Sequence, residues 1–235
     1  MKKIIITGCN GSIGSYLANY YKKKYKVIGL DKNSTKIKGI EFYKIDILKI
    51  PQLNKIYKQL YLKHKKINIL INTAGYIHNE LFLNGSKSFE THSYNNWKKV
   101  FKNNVDTTFL NTKIYVDFFF KNLADEKIII NFSSINSNGI VGQVAYGSAK
   151  SAIETMTKVL SKELSGLNFR ICCISPGYFN VKSTLENVNK KNLENIIKTI
   201  PLKRLGNVKD IAHGIDFIIK NKYFNGKILK IDGGK

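Results

Sequence analysis

Seven short runs that are apolar almost throughout, alternating with longer stretches of helical period, constrain the fold of this chain most. The runs are Lys3 to Thr7, Tyr25 to Leu30, Ile40 to Ile45, Ile67 to Asn72, Lys127 to Phe132, Phe169 to Ile174 and Lys227 to Ile231. The helical stretches are Ser12 to Lys24, Pro51 to His64, Asn95 to Lys121, Ala145 to Ser165 and Val208 to Lys220. Unbroken apolar runs suit strands buried on both faces, which is the environment of a parallel sheet covered by helices. Pro51 fits a first helical turn, where its missing N–H has no partner to lose. Right-handed crossovers then predict an α/β fold, a doubly wound parallel sheet of seven strands with helices on both faces. Ligands of such sheets bind beyond the carboxyl ends of the strands. With 235 residues, 43% of them hydrophobic, and three prolines, one domain is expected to span residues 1–235.

The formal charge is +23, which raises the question of nucleic acid. Composition answers against it: Arg170 and Arg204 are the only arginines, whereas bidentate phosphate and base readout favours Arg. The lysines are spread among abundant Asn, Ile and Tyr, as a codon bias toward A and T produces, and form no clustered footprint. Cys9, Cys172 and Cys173 support neither a disulfide framework nor a Cys-based metal site. His64, His78, His92 and His213 show no ligand spacing, so no metal is expected. The basic start leads into an apolar run that stops at a Gly-rich turn. No later run approaches the roughly 20 residues that span a bilayer, so a cytoplasmic protein without a membrane partner is expected.

The first strand runs into Thr7-Gly8-Cys9-Asn10-Gly11-Ser12-Ile13-Gly14. Glycines between a strand and a helix allow a tight turn, close approach of the backbone to a phosphate and close packing of the helix, whose N-terminus attracts negative charge. The second strand leads to Asp31, where a carboxylate can accept both hydroxyls of an adenosine ribose. Like-charge repulsion at Asp31 disfavours a 2′-phosphate and points to NAD, while Lys32 offsets it and leaves NADP open. Asp46, after the third strand, is placed to meet the adenine ring.

A Tyr-x-x-x-Lys pair puts a phenol and an ammonium one turn apart on one helix face, where the positive charge is expected to lower the tyrosine pKa from about 10. That suits proton transfer near neutral pH. The spacing occurs at Tyr20/Lys24, Tyr61/Lys65, Tyr94/Lys98, Tyr146/Lys150, Tyr178/Lys182 and Tyr223/Lys227. Of these, Tyr146/Lys150 opens a helix of small residues and follows a strand ending in Ser133-Ser134. Either serine stands at the ligand edge of the sheet, where a hydroxyl can hold a substrate oxygen.

These residues, in order, make the chain resemble the short-chain dehydrogenase/reductase family. The likeness takes in the Gly-rich turn, Asn72-Thr73-Ala74-Gly75, Trp97 with Asn104, Ser134, Tyr146-Gly147-Ser148-Ala149-Lys150, Ser175-Pro176-Gly177 and Asn225 to Gly234. It implies a Rossmann-like sheet and four catalytic residues: Tyr146 as general acid/base, Lys150 holding the nicotinamide ribose and tuning Tyr146, Ser134 orienting the reacting oxygen, and Asn104 supporting a proton relay. It places Gly8, Asn10, Gly11, Ser12, Ile13, Gly14, Asp31, Asp46, Ile47, Asn72, Ala74, Gly75, Pro176, Gly177 and Phe179, with Tyr146 and Lys150, around the cofactor. The spacing of Gly11 and Gly14 is closer to the extended branch of sugar-nucleotide epimerases, and Val181 stands where the family often has Thr. Everything downstream of the turn resembles the compact single-domain branch, and the ending at Lys235 agrees with it.

The resemblance implies hydride transfer between a nicotinamide cofactor and a secondary alcohol or ketone, in a homodimer or homotetramer packed through the two longest helices. The alternatives are a sugar or sugar-nucleotide reductase or epimerase, and a non-catalytic dinucleotide-binding regulatory protein. Tyr76 to Asn96 is longer than the family's usual connection. Following a strand at the ligand edge, it is expected to border the substrate site.

Overall fold

The computed structural model describes residues 1–86, 89–187 and 190–235. In chain order the elements are β1 (Lys3–Thr7), α1 (Ser12–Tyr21), β2 (Lys26–Asp31), β3 (Glu41–Lys44), α2 (Ile50–His64), β4 (Ile69–Asn72), β5 (Leu83–Asn84), β6 (Glu90–Thr91), α3 (Tyr94–Phe101), α4 (Thr107–Phe119), β7 (Lys127–Phe132), α5 (Val144–Glu163), β8 (Phe169–Pro176), α6 (Lys182–Asn187), α7 (Lys190–Thr199), α8 (Val208–Lys220) and β9 (Ile228–Ile231). Seven strands form one sheet in the order β3-β2-β1-β4-β7-β8-β9, every pairing parallel. The chain winds outward from β1 to β3, returns across β1 to β4 and continues to β9. Thr7 and Asn72 are register partners across that reversal, so the crevice opens beyond their carboxyl ends.

Strand periodicity divides the isoleucines between two cores. Ile4 and Ile6 face Leu17 and Tyr21 of α1 and Ile211, Ile215 and Ile218 of α8. Ile5 faces the opposite way, toward Leu53, Tyr57 and Leu60 of α2 and Ile114, Tyr115 and Phe119 of α4. A smaller cluster of Val100, Ala145 and Ala149 joins α3 to α5, with Trp97 stacked 4.6 Å from Phe101. Among the described residues no helix is long and apolar enough to cross a membrane.

One expectation needs correction, and two features go beyond what the sequence signals. The single helix expected over Asn95 to Lys121 is interrupted by a π turn at Lys102–Asp106. There the Asn104 side chain donates to Val100 O at 2.9 Å, and the Thr107 and Thr108 hydroxyls donate to Asn104 O at 3.2 and 2.7 Å. Side-chain bonds of this kind compete with the helical ladder and locally widen it. The connection from 76 to 96 carries a short hairpin, β5 with β6. Finally, α6 and α7 occupy a Lys/Asn-rich stretch whose apolar residues are too sparse to announce helices.

Candidate active site

The turn after β1 is built around glycine. Gly8 has φ +61, and a Cβ there would lie 2.8 Å from the Ala74 Cα. A Cβ on Gly14 would overlap the Gly8 carbonyl oxygen and come within 2.8 Å of Thr73 Oγ1. Helix α1 starts from Gly11 with no side-chain cap, leaving its first amides open for an anion. The Asp31 carboxylate, 8% exposed, accepts from Asn10 N at 3.0 Å and Asn33 N at 2.8 Å. It thereby ties the glycine turn to the end of β2. Ser175 Oγ and Asn136 Oδ1 are buried with no hydrogen-bond partner among the described residues, Ser175 immediately before Pro176-Gly177. A cradle that side chains would fill, a fixed carboxylate and open hydrogen-bonding capacity along one sheet edge fit a dinucleotide.

Several residues placed around the cofactor by resemblance have their side chains elsewhere. Asn72 is buried, its amide donating to Thr112 Oγ1 and Asn131 Oδ1 at 3.1 and 2.9 Å while its oxygen accepts from Asn111 at 2.8 Å. It belongs to the interior because its position in β4 turns it between the sheet and α4. Phe179 is core, packed so closely on Gly206 that a Cβ there would lie 2.6 Å from the ring. Ile47 is likewise buried in the core beneath α2. Asp46 is exposed and accepts from Leu48 N at 3.1 Å, closing a turn.

Tyr146 and Lys150 lie one turn apart at the start of α5. Tyr146 packs on the Val100, Ala145 and Ala149 cluster. Lys150, 5% exposed, donates to Phe132 O at 3.0 Å, and its Nζ lies 5.5 Å from the Tyr146 ring centre. The two serines are separated by geometry. Ser133 points at Glu154 with an Oγ–Oε1 distance of 2.6 Å, whereas Ser134 accepts from Asn136 N at 3.2 Å and has its hydroxyl beside the Tyr146 phenol. The lowered tyrosine pKa expected from Lys150 is not found. Desolvation pushes the Tyr146 phenol up to about 12, opposed by the bond with Ser134. Burial also pulls the Lys150 ammonium down to about 8, opposed by the Cys173 thiol.

The other Tyr/Lys pairs lack this setting. Tyr20 and Lys24 share the Asp216 carboxylate on the surface between α1 and α8, and Tyr94 and Tyr223 are 70% and 100% exposed. Asn104, implied in a proton relay, has its amide engaged with Tyr76 O at 2.7 Å and Val100 O. Its Oδ1 faces Gly75, whose missing Cβ would lie 2.9 Å from it and 3.6 Å from Lys150 Nζ. As placed, Asn104 braces the backbone turn beside Lys150. Among the described residues no group of three or more His, Cys, Asp or Glu could hold a metal ion.

The segment from Tyr76 to Asn96, of which residues 87 and 88 lie outside the described residues, docks onto the loop ahead of Tyr146. Glu80 N donates to Gly142 O at 2.8 Å, and Gln143 Nε2 to Asn79 Oδ1 at 2.6 Å. The Glu80 carboxylate accepts from Ser93 N and Asn96 Nδ2 at 3.2 and 3.0 Å and meets His78 Nε2 at 3.2 Å. These contacts hold its carboxyl below the usual range against an opposing desolvation. Between hairpin and loop lies a cavity of about 330 Å³ lined by Glu80, Leu81, Glu90 and Gly142 among others. Sequence reasoning did not find Glu80 or Glu154, because nothing in the spacing of either residue marks its partners.

Comparison with known proteins agrees with this geometry. The family model described as Enoyl-(Acyl carrier protein) reductase matches residues 17–235. A 3-oxoacyl-[acyl-carrier-protein] reductase of Buchnera aphidicola subsp. Baizongia pistaciae is 30% identical, covering 99% of this chain and 97% of the relative. One from Aquifex aeolicus is 30% identical, covering 98% and 86%. Among solved structures, 4-hydroxyisoleucine dehydrogenase complexed with NADH superposes with TM-score 0.84 at 26% identity, covering 100% of this chain and 98% of that one. A short chain dehydrogenase from Leptospira borgpetersenii with bound NAD+ gives 0.87 at 27% identity, covering 99% and 92%. Matched over most of its length by the family model and end to end by relatives, the chain belongs to the short-chain dehydrogenase/reductase family and is an NAD(P)-dependent oxidoreductase.

Proposed function

We propose that this chain reduces a 3-oxoacyl thioester with NADH, using Ser134, Tyr146 and Lys150. The observation that carries the reading is the placement of Tyr146 and Lys150 one turn apart on α5, with Lys150 Nζ 5.5 Å from the Tyr146 ring centre and Ser134 beside them at the ligand edge. A protonated phenol there can give its proton to a carbonyl oxygen, and the ammonium beside it can support the phenolate that remains. A bound NADH would supply the hydride for the carbonyl carbon. At the carbonyl oxygen, Ser134 donates a hydrogen bond and Tyr146 transfers its proton, and solvent later restores that proton to the phenolate. The Lys150 ammonium stabilises the phenolate by charge. Gly8, Gly11 and Gly14 would hold the pyrophosphate, Asp31 the adenosine ribose, Lys150 the other ribose, and the open Ser175 hydroxyl would bond at the nicotinamide end.

The thioester reading is supported by the relatives, which are named as 3-oxoacyl carrier reductases. It is also supported by an apolar rim: Leu81, Phe82, Phe89 and Val141 are 44, 70, 71 and 87% exposed, on segments that meet at Glu80 and Gly142. The Gly11/Gly14 spacing favours a second reading, a keto sugar. A panel of 3-oxoacyl thioesters, keto sugars and simple ketones, followed by loss of NADH absorbance, is expected to give the highest kcat/KM with a 3-oxoacyl thioester. A higher value with a keto sugar overturns the substrate assignment. One domain over residues 1–235, a cytoplasmic setting and a homodimer or homotetramer complete the reading.

NADH is expected to exceed NADPH in kcat/KM by about tenfold or more, because a near-buried carboxylate faces the 2′-phosphate with like charge. Lys32 is exposed, and an exposed charge contributes only about 1 kcal/mol, so it reduces the preference without reversing it. Asp31→Ala is expected to narrow the ratio and Lys32→Ala to widen it. A wild-type preference for NADPH sinks the assignment.

A further inference from the structure

We propose that Glu154 is a positioning residue that acts through Ser134, an inference that rests on the site described above. Glu154 follows Lys150 by one turn and Tyr146 by two, so all three share a face of α5. Its Oε1 accepts from Ser133 Oγ at 2.6 Å and from Ser137 Oγ at 2.8 Å. These serines flank Ser134 on both sides, one immediately after β7 and the other in the 3-10 turn Ile135–Asn138. Ser133 Oγ also lies 3.3 Å from Lys150 O. A hydroxyl has one proton to donate, and the shorter, charge-assisted contact with Glu154 takes it.

Two more bonds join the same helix to the same turn. Ser151 Oγ donates to Ser137 O at 2.9 Å, and Lys150 Nζ to Phe132 O at 3.0 Å. Ser134 therefore sits in a backbone segment held to α5 at positions 132, 133 and 137, with its own hydroxyl beside the Tyr146 phenol. Of these ties, only the carboxylate grips both sides of Ser134 through one atom. Ser134 must hold its hydroxyl within hydrogen-bond reach of an oxygen that Tyr146 also reaches. A displacement of about 1 Å at such a site costs on the order of 10²-fold in rate. Glu154 fixes that distance from outside the substrate pocket.

The test is a double-mutant cycle with kcat, NADH affinity by fluorescence and melting temperature as readouts. Glu154→Ala is expected to lower kcat by about 10- to 100-fold with NADH affinity within about twofold of wild type. Glu154→Gln, whose amide oxygen can still accept from both serines, is expected to recover most of that loss. In a Ser134→Ala background Glu154→Ala is expected to cost less than about threefold, because the residue it positions is gone. Glu163→Gln on the same helix serves as the unaffected control. Should Glu154→Ala not fold, Ser137→Ala removes one of the two bonds and is expected to lower kcat alone, by a smaller factor. An unchanged kcat in Glu154→Ala, an equal loss in both backgrounds, or NADH affinity falling with the melting temperature overturns the proposal. Full activity in Ser134→Ala instead overturns the reading of the site, and the proposal with it.

Discussion

Tyr146→Phe is expected to lower turnover by about 10²- to 10⁴-fold, the usual contribution of a general acid, while NADH affinity and melting temperature stay near wild type. The ring keeps its packing on Val100, Ala145 and Ala149, and only one hydroxyl leaves. Its partner Ser134 is half-buried and caps the following turn, accepting from Asn136 N at 3.2 Å, so the deletion does not strand a buried group. Steady-state rates with a fixed substrate and fluorescence titration with NADH separate the two quantities. More than a tenth of wild-type turnover, or an equal loss on replacing the exposed Tyr94, shows that another tyrosine carries the proton.

Lys150→Met is expected to abolish turnover and at the same time make the cofactor-free protein more stable. Burial lowers the ammonium from 10.5 to about 8, so the folded state binds its proton less tightly than the unfolded chain does. Below about pH 8 the lysine is charged in both states, and folding carries the full penalty of desolvation. The penalty is relieved as pH rises from about 8 to 10.5, where the unfolded chain holds more protons and stability climbs. A shift of this size corresponds to about 3 kcal/mol, from which the lost charge-assisted bond to Phe132 O subtracts roughly 1.5–3 kcal/mol. The small net gain raises the melting temperature of a domain this size by no more than a few degrees. Wild type is expected to gain stability between pH 8 and 10.5 while Lys150→Met stays flat for this group. Reduction by wild type is expected to fall above about pH 8, as the charge that supports the phenolate is lost. A destabilised variant, or a wild-type curve falling over that range, refutes the burial argument.

The sheet was legible because seven apolar runs and three glycines are local signals whose physics needs no partner. The same holds for Tyr146 and Lys150, whose spacing along one helix places them together wherever the helix lies. What stayed hidden depends on packing between distant segments. The Asn104 turn departs from helical period where threonine hydroxyls share the Asn104 carbonyl with the backbone, and Glu80 reaches the Gly142 loop across a hairpin. The tyrosine pKa was misjudged in sign because sequence shows the neighbouring charge and conceals the desolvation that outweighs it. Asn72 shows the same limit, since a residue at a strand end reads as exposed to ligand until the helix above it is known.

The amides around Asn72 also bear on how the strands find their alignment. The central strands read Ile-Ile-Ile at 4–6, Ile-Leu-Ile at 69–71 and Ile-Ile-Ile at 128–130, and buried on both faces they offer almost the same apolar surface after a slip of one position. Hydrophobic pattern alone therefore discriminates poorly between neighbouring registers, unlike in a sheet with one wet face. The polar chain from Tyr57 through Asn111, Asn72 and Asn131 to Thr157 closes with all its bonds made only when Asn72 stands opposite Asn131. Any slip leaves amides buried without partners, at about 1–3 kcal/mol each. Five polar side chains from five elements of the fold thus act as an index mark on otherwise featureless strands, and bring Thr7, Asn72 and Phe132 to a common edge for the chemistry above them.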